Sequence, residues 1–215
     1  MTPKEFLDYL EKNKVPPNEI DEKERGILHK KYYNDYSKLK AFYEIKYKIQ
    51  RVNCMYALID LKWTKGLADW IKNRKCLEIQ AGVGWLAKAL KHHGIDIIAT
   101  DNYSWESIKQ RSSSKIFPVF NMERTDAIDH YENWADILII SWPHFHDSEI
   151  VSICKKWSKL VIYIGEGNGG CCASEEFFDY FEELEDSPII KNPSWEGVYD
   201  NVRIGTFINK KENRK

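Results

Sequence analysis

The residues best suited to chemistry gather around one glycine turn. In Leu77-Glu78-Ile79-Gln80-Ala81-Gly82-Val83-Gly84-Trp85-Leu86-Ala87 a short apolar strand passes into a helix, and Gly82 and Gly84 stand at the change. Glycine there permits a positive φ and lets a ligand approach the backbone closely. The helix N-terminus beyond it presents free N–H groups and a partial positive charge. Asp101 closes a second apolar run, Ile97-Ile98-Ala99-Thr100. A carboxylate at the end of a second strand can accept hydrogen bonds from both ribose hydroxyls of an adenosine. Two cofactor classes share that geometry. Gly82-x-Gly84-x-x-Ala87 fits the nicotinamide fingerprint G-x-G-x-x-G/A. Glu78, charged and near the end of the first strand, is awkward for a pyrophosphate and suits a ligand that carries a cation.

The elements that must position these groups have two grammars. Residues 1–70 read as a helical N-terminal extension: Thr2-Pro3-Lys4-Glu5 starts a helix, Pro16-Pro17 breaks it, and Phe42, Ile45, Ile49, Val52, Tyr56, Ile59 and Trp63 form one apolar stripe of a long helix ending near Gly66. The opposite face is basic and tyrosine-rich between Lys30 and Arg51. That face fits either a solvated surface or a site for an anionic or nucleic-acid partner. Residues 71–215 alternate short apolar runs with helical stretches, which predicts an α/β domain: a three-layer, Rossmann-like, mostly parallel sheet of seven strands with helices on both faces. Strands are expected at Lys75–Ile79, Ile95–Thr100, Lys115–Phe120, Ala135–Ile140 and Leu160–Ile164, with two more between Pro188 and Ile208. Helices are expected over Val83–His93, Asp147–Trp157 and Ser174–Leu184. Ligands should bind at the carboxyl ends of the strands.

Glu78-Ile79-Gln80-Ala81-Gly82-Val83-Gly84 resembles the first motif, E/D-x-G-x-G-x-G, of the class I S-adenosylmethionine-dependent methyltransferases, with Gln80 in place of the first glycine. The resemblance spans roughly residues 70–208. It implies that the loop with Gln80, Ala81, Gly82 and Gly84 wraps the methionine moiety of S-adenosylmethionine and that Glu78 holds its amino group. It places Asp101, with Asn102 beside it, at the ribose. Thr125-Asp126-Ala127 is similar to the family's G-D-A segment, whose aspartate, here Asp126, contacts the adenine. Ser141-Trp142-Pro143-His144-Phe145 follows the fourth strand, where the family has its catalytic loop. It resembles the D/N/S-P-P-Y/F loop of amino-group methyltransferases, with Trp142 and His144 as departures. Ser141 then borders the cofactor, while Trp142, His144 and Phe145 shape the acceptor pocket.

Other candidates stay open. His144-Phe145-His146-Asp147 resembles the opening of the H-x-H-x-D-H motif of metallo-hydrolases, although Asp147 with Ser148 equally fits a helix N-cap, and no metal site is expected. His144 or His146 can serve as a general base. Ile164-Gly165-Glu166-Gly167-Asn168-Gly169-Gly170 reads as a lid with Glu166 reaching the substrate, or as loop punctuation. Cys171 and Cys172 read as packing residues. Trp195-Glu196-Gly197-Val198-Tyr199, between the last two expected strands, is a candidate aromatic wall.

Composition limits the rest. The chain has 215 residues, 32 Lys and Arg against 33 Asp and Glu, and a net charge of −1, so no whole-chain field points to nucleic acid or acidic lipid. Aromatics at 13% exclude disorder. No apolar run approaches the ~18 residues that cross a bilayer, and five scattered cysteines suit reduced thiols, so a cytoplasmic protein without membrane partners is expected. The leading expectation is methyl transfer from S-adenosylmethionine to an acceptor, small molecule or nucleic acid, by direct displacement. The alternatives are an NAD(P)-dependent oxidoreductase and a methyltransferase fold that binds without catalysing.

Overall fold

β1 (Cys76–Ile79), β4 (Ile137–Ser141) and β5 (Leu160–Gly165) are near-continuous apolar runs, a pattern suited to a strand covered on both faces. The computed structural model describes residues 54–104, 115–194 and 198–208. The helices expected before residue 54, the basic face between Lys30 and Arg51, and Trp195-Glu196-Gly197 lie outside the described residues.

The sheet has seven strands in the order β3-β2-β1-β4-β5-β7-β6, with β2 at Ile97–Asp101, β3 at Val119–Asn121, β6 at Phe181–Glu183 and β7 at Asn201–Phe207. β1 to β5 pair in parallel, whereas β7 runs antiparallel between β5 and β6. Side chains alternate between two cores, as the strand period requires. Cys76, Ile97, Ala99, Ile137, Ile139, Ile162 and Ile164 pack with α1 (Leu61–Ile71) and α2 (Trp85–His92). Leu77, Ile79, Leu138, Ile140, Val161 and Tyr163 pack on the other face with α3 (Arg124–Tyr131), α4 (Ser148–Lys156) and α5 (Glu175–Tyr180). This is the three-layer, Rossmann-like, mostly parallel architecture the alternating pattern predicts. Strand order reverses beside β1, so the crevice at the carboxyl ends of β1 and β4 is the place for a ligand.

Several boundaries differ from expectation, among them the third strand, which runs Val119–Asn121 rather than Lys115–Phe120. Residues 54–60 are not helical; Asp60 instead caps a new helix, its Oδ1 accepting from the backbone N–H groups of Lys62 and Trp63 at 2.9 Å each. The apolar stripe through Tyr56, Ile59 and Trp63 therefore spans a loop and a helix, and Gly66 lies inside α1 rather than at its end. The helix expected over Ser174–Leu184 stops at Tyr180, and its last residues become β6. Phe181 pairs with Phe207 and stacks on Phe177, so aromatic packing outweighs the helical pattern. Gly205 makes that pairing possible: a Cβ there would lie 2.1 Å from the Glu182 carbonyl oxygen. The tail after Pro188 accordingly supplies one strand, β7, among its described residues rather than two. α3 was not announced by periodicity, since only Ala127 and Ile128 of its eight residues are buried. Among the described residues no helix is long and apolar enough to cross a membrane.

Candidate functional site

Three strand ends and one loop enclose a cavity at the expected crevice. The turn after β1 contributes Glu78, Gln80, Ala81 and Gly82, and the first turn of α2 adds Trp85 and Leu86. Asp101, Asn102 and Ser104 line it after β2, and Ser141, Trp142 and His144 after β4. The remaining wall is Cys54, Met55, Tyr56, Ala57 and Ile59, from the loop before α1. Sequence reasoning missed this last wall, because Tyr56 and Ile59 fit the helical stripe that ends in Trp63. Trp85, Leu86 and Ser104 were also missed; each adjoins a motif that was read.

Backbone conformation marks the same edge. Gln80 and Trp142 follow β1 and β4 with φ of 57° and 52°, and Cys54 in the facing loop has φ 52°. Non-glycine residues hold left-handed conformations only where their surroundings fix them, and such residues collect at ligand sites. Gln80 thus occupies a position whose geometry favours glycine, while keeping a side chain. Its Nε2 donates to Asp147 Oδ2 at 3.3 Å, and its Oε1 is buried with no hydrogen-bond partner among the described residues. Asp147 is the N-cap of α4, accepting from the N–H groups of Glu149 and Ile150, and it pairs with Arg124. The His144-to-Asp147 stretch thus presents a helix cap at Asp147. Among the described residues no group of three or more His, Cys, Asp or Glu is placed to hold a metal ion.

The two carboxylates of the cavity differ in their partners. Asp101 is 6% exposed; Oδ2 accepts the Gly82 N–H at 2.8 Å and Oδ1 the Tyr103 N–H at 2.7 Å. Burial raises its pKa, opposed by those two N–H groups and then by Arg124 and Lys115. Each oxygen keeps a further lone pair for a ligand hydroxyl. Glu78 is 2% exposed, and its Oε2 has no partner among the described residues. Burial pushes its pKa up to about 8, partly offset by the Ala87 N–H and reinforced by Asp101. No lysine or arginine lines the cavity among the described residues. An uncompensated carboxyl group this deep calls for a cationic or N–H-bearing ligand.

The structure does not bring every expected residue here. Gly84 is the N-cap of α2 with φ 90°, and a Cβ on it would meet Phe117 Cβ at 2.7 Å; packing, not a ligand, fills that side. Asp126 is exposed in the first turn of α3, away from the cavity lining. Phe145 is 52% exposed and rests on His146 with ring centroids 3.8 Å apart. Glu166 is 8% exposed and faces its own loop: its oxygens accept the Cys171 N–H at 2.9 Å and the Tyr199 N–H at 3.0 Å. Gly170 packs on it so tightly that a Cβ would fall 2.4 Å from Glu166 Cβ. His144 lines the cavity, and burial holds its pKa below the ordinary histidine range, with Asp147 opposing. Burial pushes the Cys171 thiol up to about 11, which leaves no thiolate for nucleophilic work.

No protein-family model matches the chain, and no curated protein does. Solved structures with similar folds include a point mutant of MtNAS in complex with S-adenosylmethionine, at 10% identity and TM-score 0.48 over 86% of this chain and 72% of that one. They also include a SAM-dependent methyltransferase from Archaeoglobus fulgidus, at 17% identity and TM-score 0.44 over 77% of this chain and 99% of that one. An O-methyltransferase family protein from Burkholderia thailandensis matches at 10% identity and TM-score 0.45, over 84% of this chain and 63% of that one.

Proposed function

We propose that this chain binds S-adenosylmethionine in the cavity at the carboxyl ends of β1, β2 and β4 and transfers its methyl group to an acceptor. The observation that carries the reading is Glu78: a carboxyl group 2% exposed in the crevice at the strand ends, with Oε2 unpartnered among the described residues. Gln80 Oε1 is a second buried acceptor on the same turn without a partner there. Asp147 fixes the amide so that its carbonyl, not its amino group, is the end left over. Two neighbouring acceptors complement an ammonium group, which has three N–H bonds to give. The amino-acid end of S-adenosylmethionine supplies that group.

The remaining residues fit the rest of the molecule. Asp101 accepts the two ribose hydroxyls on lone pairs that Gly82 and Tyr103 leave available. Asn102 and Ser104, which line the cavity next to Asp101, would border the adenine, and Trp85 and Leu86 would add apolar contact. Asp126 drops out of the adenine contact by its exposure. The bound sulfonium supplies an activated methyl group for direct displacement. Ser141, Trp142 and His144 then set the angle of approach, since positioning is the main lever for a displacement of this kind.

A nicotinamide dinucleotide is disfavoured by the same atoms. Its pyrophosphate would pass the buried Glu78 carboxyl with no lysine or arginine in the described lining, and the Gly82 N–H is already given to Asp101. Calorimetric titration with S-adenosylmethionine, S-adenosylhomocysteine and NADH tests the reading. Binding of the adenosyl ligands alone, lost in Asp101→Ala, is the expected result; binding of NADH alone overturns it.

A further inference from the structure

We infer that the acceptor is an uncharged aromatic hydroxyl compound, methylated on oxygen, with Trp142 holding the reacting oxygen. The inference rests on the cofactor assignment above and concerns the other end of the same cavity.

Trp142 carries the argument because its indole differs from others in this chain. Trp63 Nε1 donates to the Leu58 carbonyl and Trp157 Nε1 to the Leu160 carbonyl, both at 2.9 Å. Trp142 Nε1 is buried and has no partner among the described residues, although the ring lines the cavity. The residue is held firmly: its backbone N–H donates to the Ile164 carbonyl at 2.8 Å, and the Pro143 carbonyl accepts the Ala173 N–H at 3.3 Å. An indole N–H only donates, so its partner must bring a lone pair, and at a residue that lines the cavity a ligand oxygen can supply one.

Shape and charge narrow the ligand further. The Tyr56 ring lies 5.9 Å from that of Trp142 at an interplanar angle of 32°, an aromatic wall on which a flat molecule can pack. Among the described lining residues Glu78 and Asp101 are the carboxylates, and no lysine or arginine balances them. A phosphate or carboxylate on the acceptor would find no cationic side chain in that lining to receive it, which disfavours nucleotides and nucleic acid. Within the uncharged aromatics, a hydroxyl fits better than an amine: its oxygen accepts from Trp142 while its O–H donates onward. His144, in the same loop and lining the cavity, offers an imidazole nitrogen to take that proton.

The step balances with these groups. The acceptor oxygen forms the new C–O bond as the C–S bond of the sulfonium breaks, and the bonding pair stays on sulfur as S-adenosylhomocysteine leaves. The hydroxyl proton goes to His144 and from there to solvent, which that exposed residue meets directly.

Methyl-tritiated S-adenosylmethionine offered with naphthol, hydroxyquinoline, hydroxynaphthoate and single-stranded RNA tests this. Transfer to the two uncharged hydroxyarenes should exceed transfer to the carboxylate and to RNA by about tenfold or more. Trp142→Phe should keep the Kd for S-adenosylhomocysteine within about threefold while kcat/KM on naphthol falls about tenfold, the loss of one hydrogen bond. Label on RNA or on hydroxynaphthoate alone overturns the acceptor class and leaves the cofactor reading standing. So does an equal loss of cofactor and acceptor affinity in Trp142→Phe. If no adenosyl ligand binds the wild-type chain, the cofactor reading fails and this inference falls with it.

Discussion

Gln80 and Asp147 join the turn after β1 to the N-cap of α4 through a hydrogen bond of 3.3 Å. Asp147 passes the connection on to Arg124 in α3, which also pairs with Glu149. The turn after β1 and the loop holding Trp142 and His144 therefore belong to one polar network. A ligand that meets Gln80 Oε1 acts on the same amide whose other end holds Asp147.

Gln80→Gly isolates what the side chain contributes. Glycine relieves the left-handed backbone at φ 57°, which offsets the lost bond to Asp147, so global stability should change by less than about 1 kcal/mol. Affinity for S-adenosylhomocysteine should fall about tenfold, as one hydrogen bond to a charged group is lost. Methylthioadenosine, which has no amino-acid end, should bind both forms alike. Calorimetry with the two ligands checks this. Tighter S-adenosylhomocysteine binding in the variant would mean that Gln80 obstructs the cleft.

Gly84→Ala separates packing from ligand contact in the glycine turn. A Cβ there meets Phe117 Cβ at 2.7 Å and Val119 Cγ2 at 3.0 Å, on a backbone with φ of 90°. Strain and overpacking together should destabilise the fold by about 2–4 kcal/mol, read as a lower urea midpoint. At temperatures where the variant remains folded, cofactor Kd should stay within about threefold, because Gly84 does not line the cavity. A Kd raised more than tenfold with an unchanged midpoint would restore Gly84 to the binding site.

How far the sequence was legible follows from what each signal reports. The parallel core was plain because β1, β4 and β5 are buried on both faces and so are apolar throughout. That Glu78, Gln80, Gly82 and Asp101 line one cavity was legible because a strand-turn-helix fixes where they stand whatever surrounds them. Tyr56 was misplaced since a stripe with helical spacing is indifferent to the break at Asp60, whose capping is a local hydrogen bond. Phe181 was misread for a different reason. Its strand exists only through pairing with Phe207, a partner remote in the chain that no local periodicity encodes. Asp126, given its role by resemblance, and Glu166, read from a glycine-rich loop, meet the same limit, since type and spacing say nothing of which way a side chain faces.

Glu166 should prove a stabilising residue. Its carboxylate accepts two backbone N–H groups, from Cys171 and Tyr199, while Gly170 packs against its Cβ. Glu166→Ala leaves those N–H groups without their acceptor, at about 1–3 kcal/mol for each one that stays buried. The urea midpoint should drop accordingly, and activity measured well below it should remain within a few-fold of wild type. A kcat loss above about a hundredfold at unchanged stability would return Glu166 to the reacting centre.

The pH dependence of binding should report Glu78 directly. Its folded-state pKa, about 8, lies above the unfolded value near 4.3, so this group favours folding most at low pH. That contribution is lost as pH rises from about 4 through 8, and Glu78→Gln should therefore flatten the fall in thermal stability of the ligand-free protein across that interval. A bound ammonium reverses the preference by favouring the carboxylate, which pulls the pKa back down. Below about pH 8 the carboxyl must then give up a proton when S-adenosylhomocysteine binds. Its affinity should rise with pH from about 6 to 8 and level off above, with about one proton released per ligand near neutrality. Calorimetry in phosphate and in Tris, buffers of different ionisation enthalpy, counts that proton. In Glu78→Gln the count should go to zero and the affinity should fall. A wild-type affinity that is flat over this range, with no proton released, would place the ammonium group elsewhere and remove the observation on which the cofactor assignment stands.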